Sequence, residues 1–144
     1  MNEVKYEVDF YGWTQEQARL LREGRFAELD VANVVEEIET LGRGERRELV
    51  SRLRELLLHL LKWQYQDGRR GWSWQATIVE QRDSASDLLA ENPSLRPQLD
   101  DIMVDAYRRA RRDAVRETEY PPDTFPTSCP WSFEQVVTDD FWPE

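Results

Sequence analysis

Cysteine and histidine are each represented once in the 144 residues, as Cys129 and His59. One cysteine excludes an internal disulfide framework, and the pair is too small a ligand set for a structural zinc site. Long apolar runs are also missing. The longest, residues 56–61, is interrupted by His59 and is about three times too short to span a bilayer. Residues 1–10 carry Glu3, Glu7 and Asp9 without an apolar stretch, unlike a secretory signal, so a cytoplasmic protein is expected. Basic residues are in deficit, 19 against 29 acidic ones for a net charge of −10. At long range such a chain repels nucleic acid and anionic membrane, and no membrane partner is expected. Nucleophile-elbow, Walker and dinucleotide fingerprints are absent; Gly42-Arg43-Gly44 lacks their spacing and reads as a helix–helix turn.

What the sequence does contain is helical patterning. With 40% hydrophobic and 33% charged residues, a chain of this length can bury a core without metal or disulfide staples. A first helix is predicted from Thr14, in a capping box with Gln17, to Gly24, with Ala18 and Leu21 facing inward and Phe26 and Leu29 following. Asp30 caps a second, whose inward stripe is Val31, Val34, Val35, Ile38 and Leu41 and whose end is Gly42. The third, about 45–66, carries Leu49, Val50, Leu53, Leu56, Leu57, Leu60, Leu61 and Trp63 over a wide arc, so it is placed at the centre. Leu58 is the one apolar residue on its polar side. Ser73 caps a fourth helix with Trp74, Ile78, Gln81, Ala85, Leu88 and Leu89 inside, ending at Asn92-Pro93. Ser94 caps a fifth to about Glu119, with Pro97 in its first turn.

Beyond residue 119, prolines alternate with Phe125, Trp131, Phe133, Phe141 and Trp142. That composition predicts an extended strap with one short helix capped by Ser132 and Gln135. The expected fold class is all-α: a single domain over 1–144, with a bundle of about five helices in 1–119 and a Pro/aromatic-rich tail in 120–144 packed on it.

Three groups of residues carry candidate chemistry. Glu36, Glu37, Glu39, Glu55 and His59 are the only place where metal or acid/base ligands gather; an enzyme would centre on Glu39, Glu55 and His59. Carboxylate-bridged bundles need Glu-x-x-His on each of two helices, which this chain lacks, so no metal or other cofactor is expected. Cys129 with His59 forms a nucleophile and base only if the fold brings them together; a small buried thiol is the plainer expectation. Arg69-Arg70-Gly71-Trp72-Ser73-Trp74 interleaves cations with stacking surfaces as single-strand binders do, and Arg108, Arg109, Arg111, Arg112 and Arg116 add a second basic cluster. Acids three or four residues from several of those arginines, together with the net charge, disfavour nucleic acid as a partner.

Several motifs occur in an order that resembles a known family: Asp9, Tyr11 and Trp13; Asp30, Asn33 and Glu36-Glu37-Ile38-Glu39 with Leu41-Gly42; His59-Leu60-Leu61-Lys62-Trp63 with Tyr65-Gln66; Ser73-Trp74 with Ile78, Gln81 and Arg82; and Cys129-Pro130-Trp131-Ser132. They resemble the bacterial domain of unknown function twenty-nine over nearly the whole chain. The resemblance implies an all-α fold and a small stand-alone bacterial protein, and supplies no catalytic residues. It marks Asn33, Glu36, Glu37, Glu39, His59, Lys62, Gln66, Trp74, Gln81 and Arg82 as motif positions. With Glu55 added, Asn33, Glu36, Glu37, Glu39, His59, Gln81 and Arg82 form the candidate polar cluster. For function, the expectation is a non-enzymatic module that binds a protein partner or a second copy of itself. Its candidate surface is Arg69, Arg70, Trp72, Trp131, Phe141 and Trp142, because so many aromatics exceed what one small core hides.

Overall fold

A computed structural model describes residues 5–144. Among the described residues there are five α-helices and no strand: α1 (Phe10–Arg22), α2 (Val31–Tyr65), α3 (Trp72–Glu91), α4 (Leu99–Thr118) and the single-turn α5 (Phe133–Val136). None of these helices is long and apolar enough to cross a membrane. The chain divides after Arg43 into two compact units.

In the first unit α1 starts earlier than its sequence pattern suggests. Asp9, not Thr14, is the N-cap: its carboxylate accepts the Gly12 N–H at 3.0 Å, where charge also complements the helix dipole. Thr14 lies inside the helix and donates its hydroxyl to the Tyr11 carbonyl. The buried face is Trp13, Gln17 and Leu20 at i, i+4 and i+7, whereas Leu21 and Phe26 are exposed, contrary to expectation. The indole of Trp13 sets that face, with Tyr6 packed edge-on at 4.7 Å. Gly24, at φ 70°, makes the left-handed turn that ends the helix.

The second and third predicted helices are one. α2 is continuous over 35 residues, and Gly42 and Gly44 sit within it. Glycine in a helix costs about 1 kcal/mol against alanine but forbids nothing. The strong pattern that follows outweighs that cost. The expected inward stripe at the start of α2 is not buried either: Val31, Val35, Ile38 and Leu41 are exposed and Val34 only half-buried.

In the second unit the wide apolar arc of α2 forms the core as expected. Leu49, Leu53, Leu56, Leu57, Leu60 and Leu61 are fully buried, and Leu58, the apolar exception on the polar side, is buried too. Ile78, Ala85 and Leu89 of α3 and Ile102, Ala106, Ala110 and Ala114 of α4 join the same cluster. α3 begins at Trp72 behind Gly71, so Ser73 is not its cap. Pro93–Gln98 is a 3-10 turn rather than the first turn of α4, because two prolines remove amide donors there. Three cross-helix ion pairs, Arg46–Asp105, Arg54–Asp113 and Lys62–Glu117, advance together along both helices, so α2 and α4 run in the same direction.

Beyond Glu119, which ends α4 in the left-handed region at φ 60°, the tail lies on this core. Phe125 is fully buried, and Ser132 and Gln135 form the expected capping box at α5.

Candidate functional site

The candidate polar residues fall on both units. In the first, Asn33 belongs to a closed network. Asp30 accepts the Asn33 amide at 2.8 Å and the Trp13 indole at 2.9 Å, while its backbone N–H donates to Gln17 at 2.8 Å. The Asn33 side chain, then the indole, hold the Asp30 carboxyl below its usual range. Gln17, Asp30 and Asn33 line an open cleft of about 890 Å³ whose arginines are paired. Arg19 pairs with Glu16 and Glu23, and Arg25 with Glu23 and Glu28. Glu36 and Glu39 are exposed and Glu37 half-buried, with Glu36 3.5 Å from Arg43.

In the second unit His59 Nδ1 lies 2.9 Å from the Glu55 backbone carbonyl and 3.7 Å from its carboxylate. A carbonyl only accepts, which places the proton of neutral His59 on Nδ1 and leaves Nε2 with its lone pair. Lys62, one turn on, donates to Glu117 at 3.1 Å and sits 5.0 Å over the Trp74 ring, which is half-buried. Gln81 is buried and its Oε1 accepts no hydrogen bond. Among the described residues no three His, Cys, Asp or Glu side chains converge as metal ligands would.

Arg82 is 1% exposed and holds the tail. Its guanidinium donates to the carbonyls of Val136 at 2.8 Å, Asp139 at 3.2 Å and Phe141, and lies 4.8 Å over the Trp142 ring. Burial lowers its affinity for a proton, with Asp139 opposing. The rest of the expected interaction surface is largely taken up in the same fastening. Arg70 donates to the carbonyls of Trp63 and Pro143, Trp63 packs on Trp142 at 4.7 Å, and Trp131 meets Phe141 edge-on at 5.8 Å. Tyr107 and Arg111 of α4 secure Phe125 and Pro126 through their carbonyls, and burial pushes the Tyr107 hydroxyl up to about 12. Of the segment 69–74, Arg69 stays exposed in a 3-10 turn and Trp72 is 82% exposed. Cys129 donates to the Trp131 carbonyl, and burial pushes its thiol up, the opposite of what a nucleophile needs.

Two features go unread in the sequence. One is the solvent-facing row of Val31, Val35, Ile38 and Leu41, 46–72% exposed. Its spacing is visible, but periodicity identifies an apolar face without saying what covers it. The other is a cleft between α2 and α4 lined by Arg46, Arg47, Arg54 and Arg109. The matched i, i+8 spacings of Arg46 and Arg54 and of Asp105 and Asp113 are the signal that points to it.

No curated protein and no solved structure is significantly similar to this chain. The sequence profile described as domain of unknown function DUF29 matches residues 5–142, which carry both features and nearly all of the fold, and the chain belongs to that family.

Proposed function

We propose that the chain is a non-enzymatic protein-interaction module that docks an amphipathic, basic-flanked helix of a partner protein on the N-terminal part of α2. The observation that carries this reading is the row Val31, Val35, Ile38 and Leu41, with exposures of 56, 46, 62 and 72%. Branched aliphatic side chains spaced i, i+4, i+7 and i+10 along a helix are the seam against which a second helix packs, and leaving them in water is unfavourable. Gly42 lies on the same face with open space where a side chain would stand, which allows close approach of a partner backbone.

Charge selects the partner. At about 100° per residue the row is bordered by Glu37 on one side and Glu39 on the other, so a second copy would bring acid against acid, whereas Lys or Arg flanks would complement it. The raised Cys129 thiol adds support for a role without catalysis.

Two synthetic helices with one leucine stripe, flanked by Lys in one and Glu in the other, test the reading by fluorescence anisotropy. The Lys-flanked helix is expected to bind, to weaken with salt, and to lose at least tenfold in affinity in Ile38→Ser. Equal binding of both helices, or an unchanged Ile38→Ser variant, would refute it. A stable homodimer by light scattering that Ile38→Ser dissociates would replace the basic partner with a second copy.

A further inference from the structure

A cleft of about 310 Å³ opens between α2 and α4 in the second unit, where Arg46, Arg47, Ser51 and Arg54 face Asp105 and Arg109. Its volume is at the small end of ligand pockets. The two helices meet there as a ladder. Arg46, Val50 and Arg54 stand on successive turns of α2; Asp105, Arg109 and Asp113 stand on successive turns of α4. The outer rungs are ionic: Arg46 lies 3.5 Å from Asp105, and Arg54 donates to both Asp113 oxygens at 2.6 and 2.9 Å. The middle rung is not. Arg109 occupies the place where an acid would complete the pattern, and among the described residues neither it nor Arg47 has a carboxylate partner.

Four cations therefore gather against two carboxylates, Asp105 in the lining and Asp113 at the end of the ladder, in a chain whose net charge is −10. We propose that this cleft binds a phosphate-bearing anion through Arg47, Arg54 and Arg109, with the Ser51 hydroxyl as a further donor. Guanidinium forks match phosphate oxygens in pairs, and the forks of Arg47 and Arg109, the remaining Nη1 of Arg54 and a hydroxyl provide more donors than the two oxygens of a carboxylate use. The site is partly preorganised. Arg54 spends Nε and Nη2 on Asp113, which fixes its plane and leaves Nη1 without a protein acceptor; Arg46 is held by Gln98 at 3.1 Å as well as by Asp105. Val50, 7% exposed, adds an apolar side chain to the lining.

The test is calorimetric titration of the intact chain with inorganic pyrophosphate at ionic strength fixed with sodium chloride. One-site binding is expected, at least tenfold weaker in Arg109→Gln and in Arg47→Gln, both at exposed positions. Arg108→Gln, on the same helix outside the cleft, is expected to bind within about twofold of the parent, the equivalent of roughly 0.4 kcal/mol. Absence of binding, parent-like affinity in Arg109→Gln, or an equal loss in Arg108→Gln would overturn the site. Sedimentation with phosphatidylglycerol vesicles separates the sources of the phosphate. Cosedimentation lost in Arg109→Gln assigns a lipid headgroup; pyrophosphate binding without cosedimentation assigns a soluble phosphate compound.

Discussion

Replacing Arg82 by methionine keeps the length and most of the volume of the side chain while removing every donor. Three tail carbonyls, those of Val136, Asp139 and Phe141, then lose their partner, and Trp142 loses the cation over its ring. A hydrogen bond from a charged donor contributes about 1.5–3 kcal/mol and the ring contact about 0.5–2 kcal/mol. Only the bond to Val136 is fully buried, and relief of the guanidinium's own desolvation offsets part of the loss. The net cost should be about 3 kcal/mol, which for a unit of this size lowers the melting temperature by roughly 14 °C. Calorimetry measures the first quantity, and limited chymotrypsin digestion at Phe133 and Phe141 reports release of the tail. Arg82→Lys, which keeps the charge but cannot serve three separated carbonyls, should fall between the two. An Arg82→Met variant that melts within about 2 °C of the parent with an equally protected tail would refute the fastening role.

Gly42→Ala and Gly44→Ala should each stabilise the protein by about 0.5–1 kcal/mol in urea denaturation, because both residues lie in helix with empty space around an added methyl. Destabilisation by either would mean a turn at that point. Asp113 has its pKa lowered chiefly by Arg54, so its contribution is fully present above the unfolded carboxylate value of about 4 and is lost as pH falls through the lower folded value. Asp113→Asn should therefore cost about 1–3 kcal/mol at pH 7 and flatten the acid limb of stability against pH; an unchanged acid limb would contradict the pairing. The Cys129 thiol, raised by burial, should react with a disulfide reagent at pH 8 far more slowly than after urea unfolding, and equal rates would show that it is not shielded.

Much of this architecture is legible in the sequence because some signals leave little choice. The arc from Leu49 to Leu61 is too wide for one neighbour and forms the core, and Ser132 with Gln135 three residues on forms a capping box. Punctuation is less reliable. Gly42 and Gly44 suggest a turn, yet glycine permits a break without requiring one, and α2 passes through both. The row beginning at Val31 reads as core on its spacing, although the same spacing serves a face turned to solvent. Arg82 is a visible motif position with an invisible role, since its partners are backbone carbonyls 54–59 residues away that no side-chain pattern records. The arginine cleft is hidden in the same manner: its two walls are separated by 59 residues in each ionic rung, and they align only once α2 and α4 run in one direction.

Single cysteines introduced at positions 31, 35, 38, 41 and 53 in a Cys129→Ser background, and labelled with a maleimide under native conditions, address the exposed row of α2 directly. Positions 31, 35, 38 and 41 should react at rates close to those of the unfolded chain, while position 53, fully buried, should be slower by orders of magnitude. Protection at 38 and 41 comparable to that at 53 would show that the row is covered within the chain itself and would contradict its assignment as a docking face.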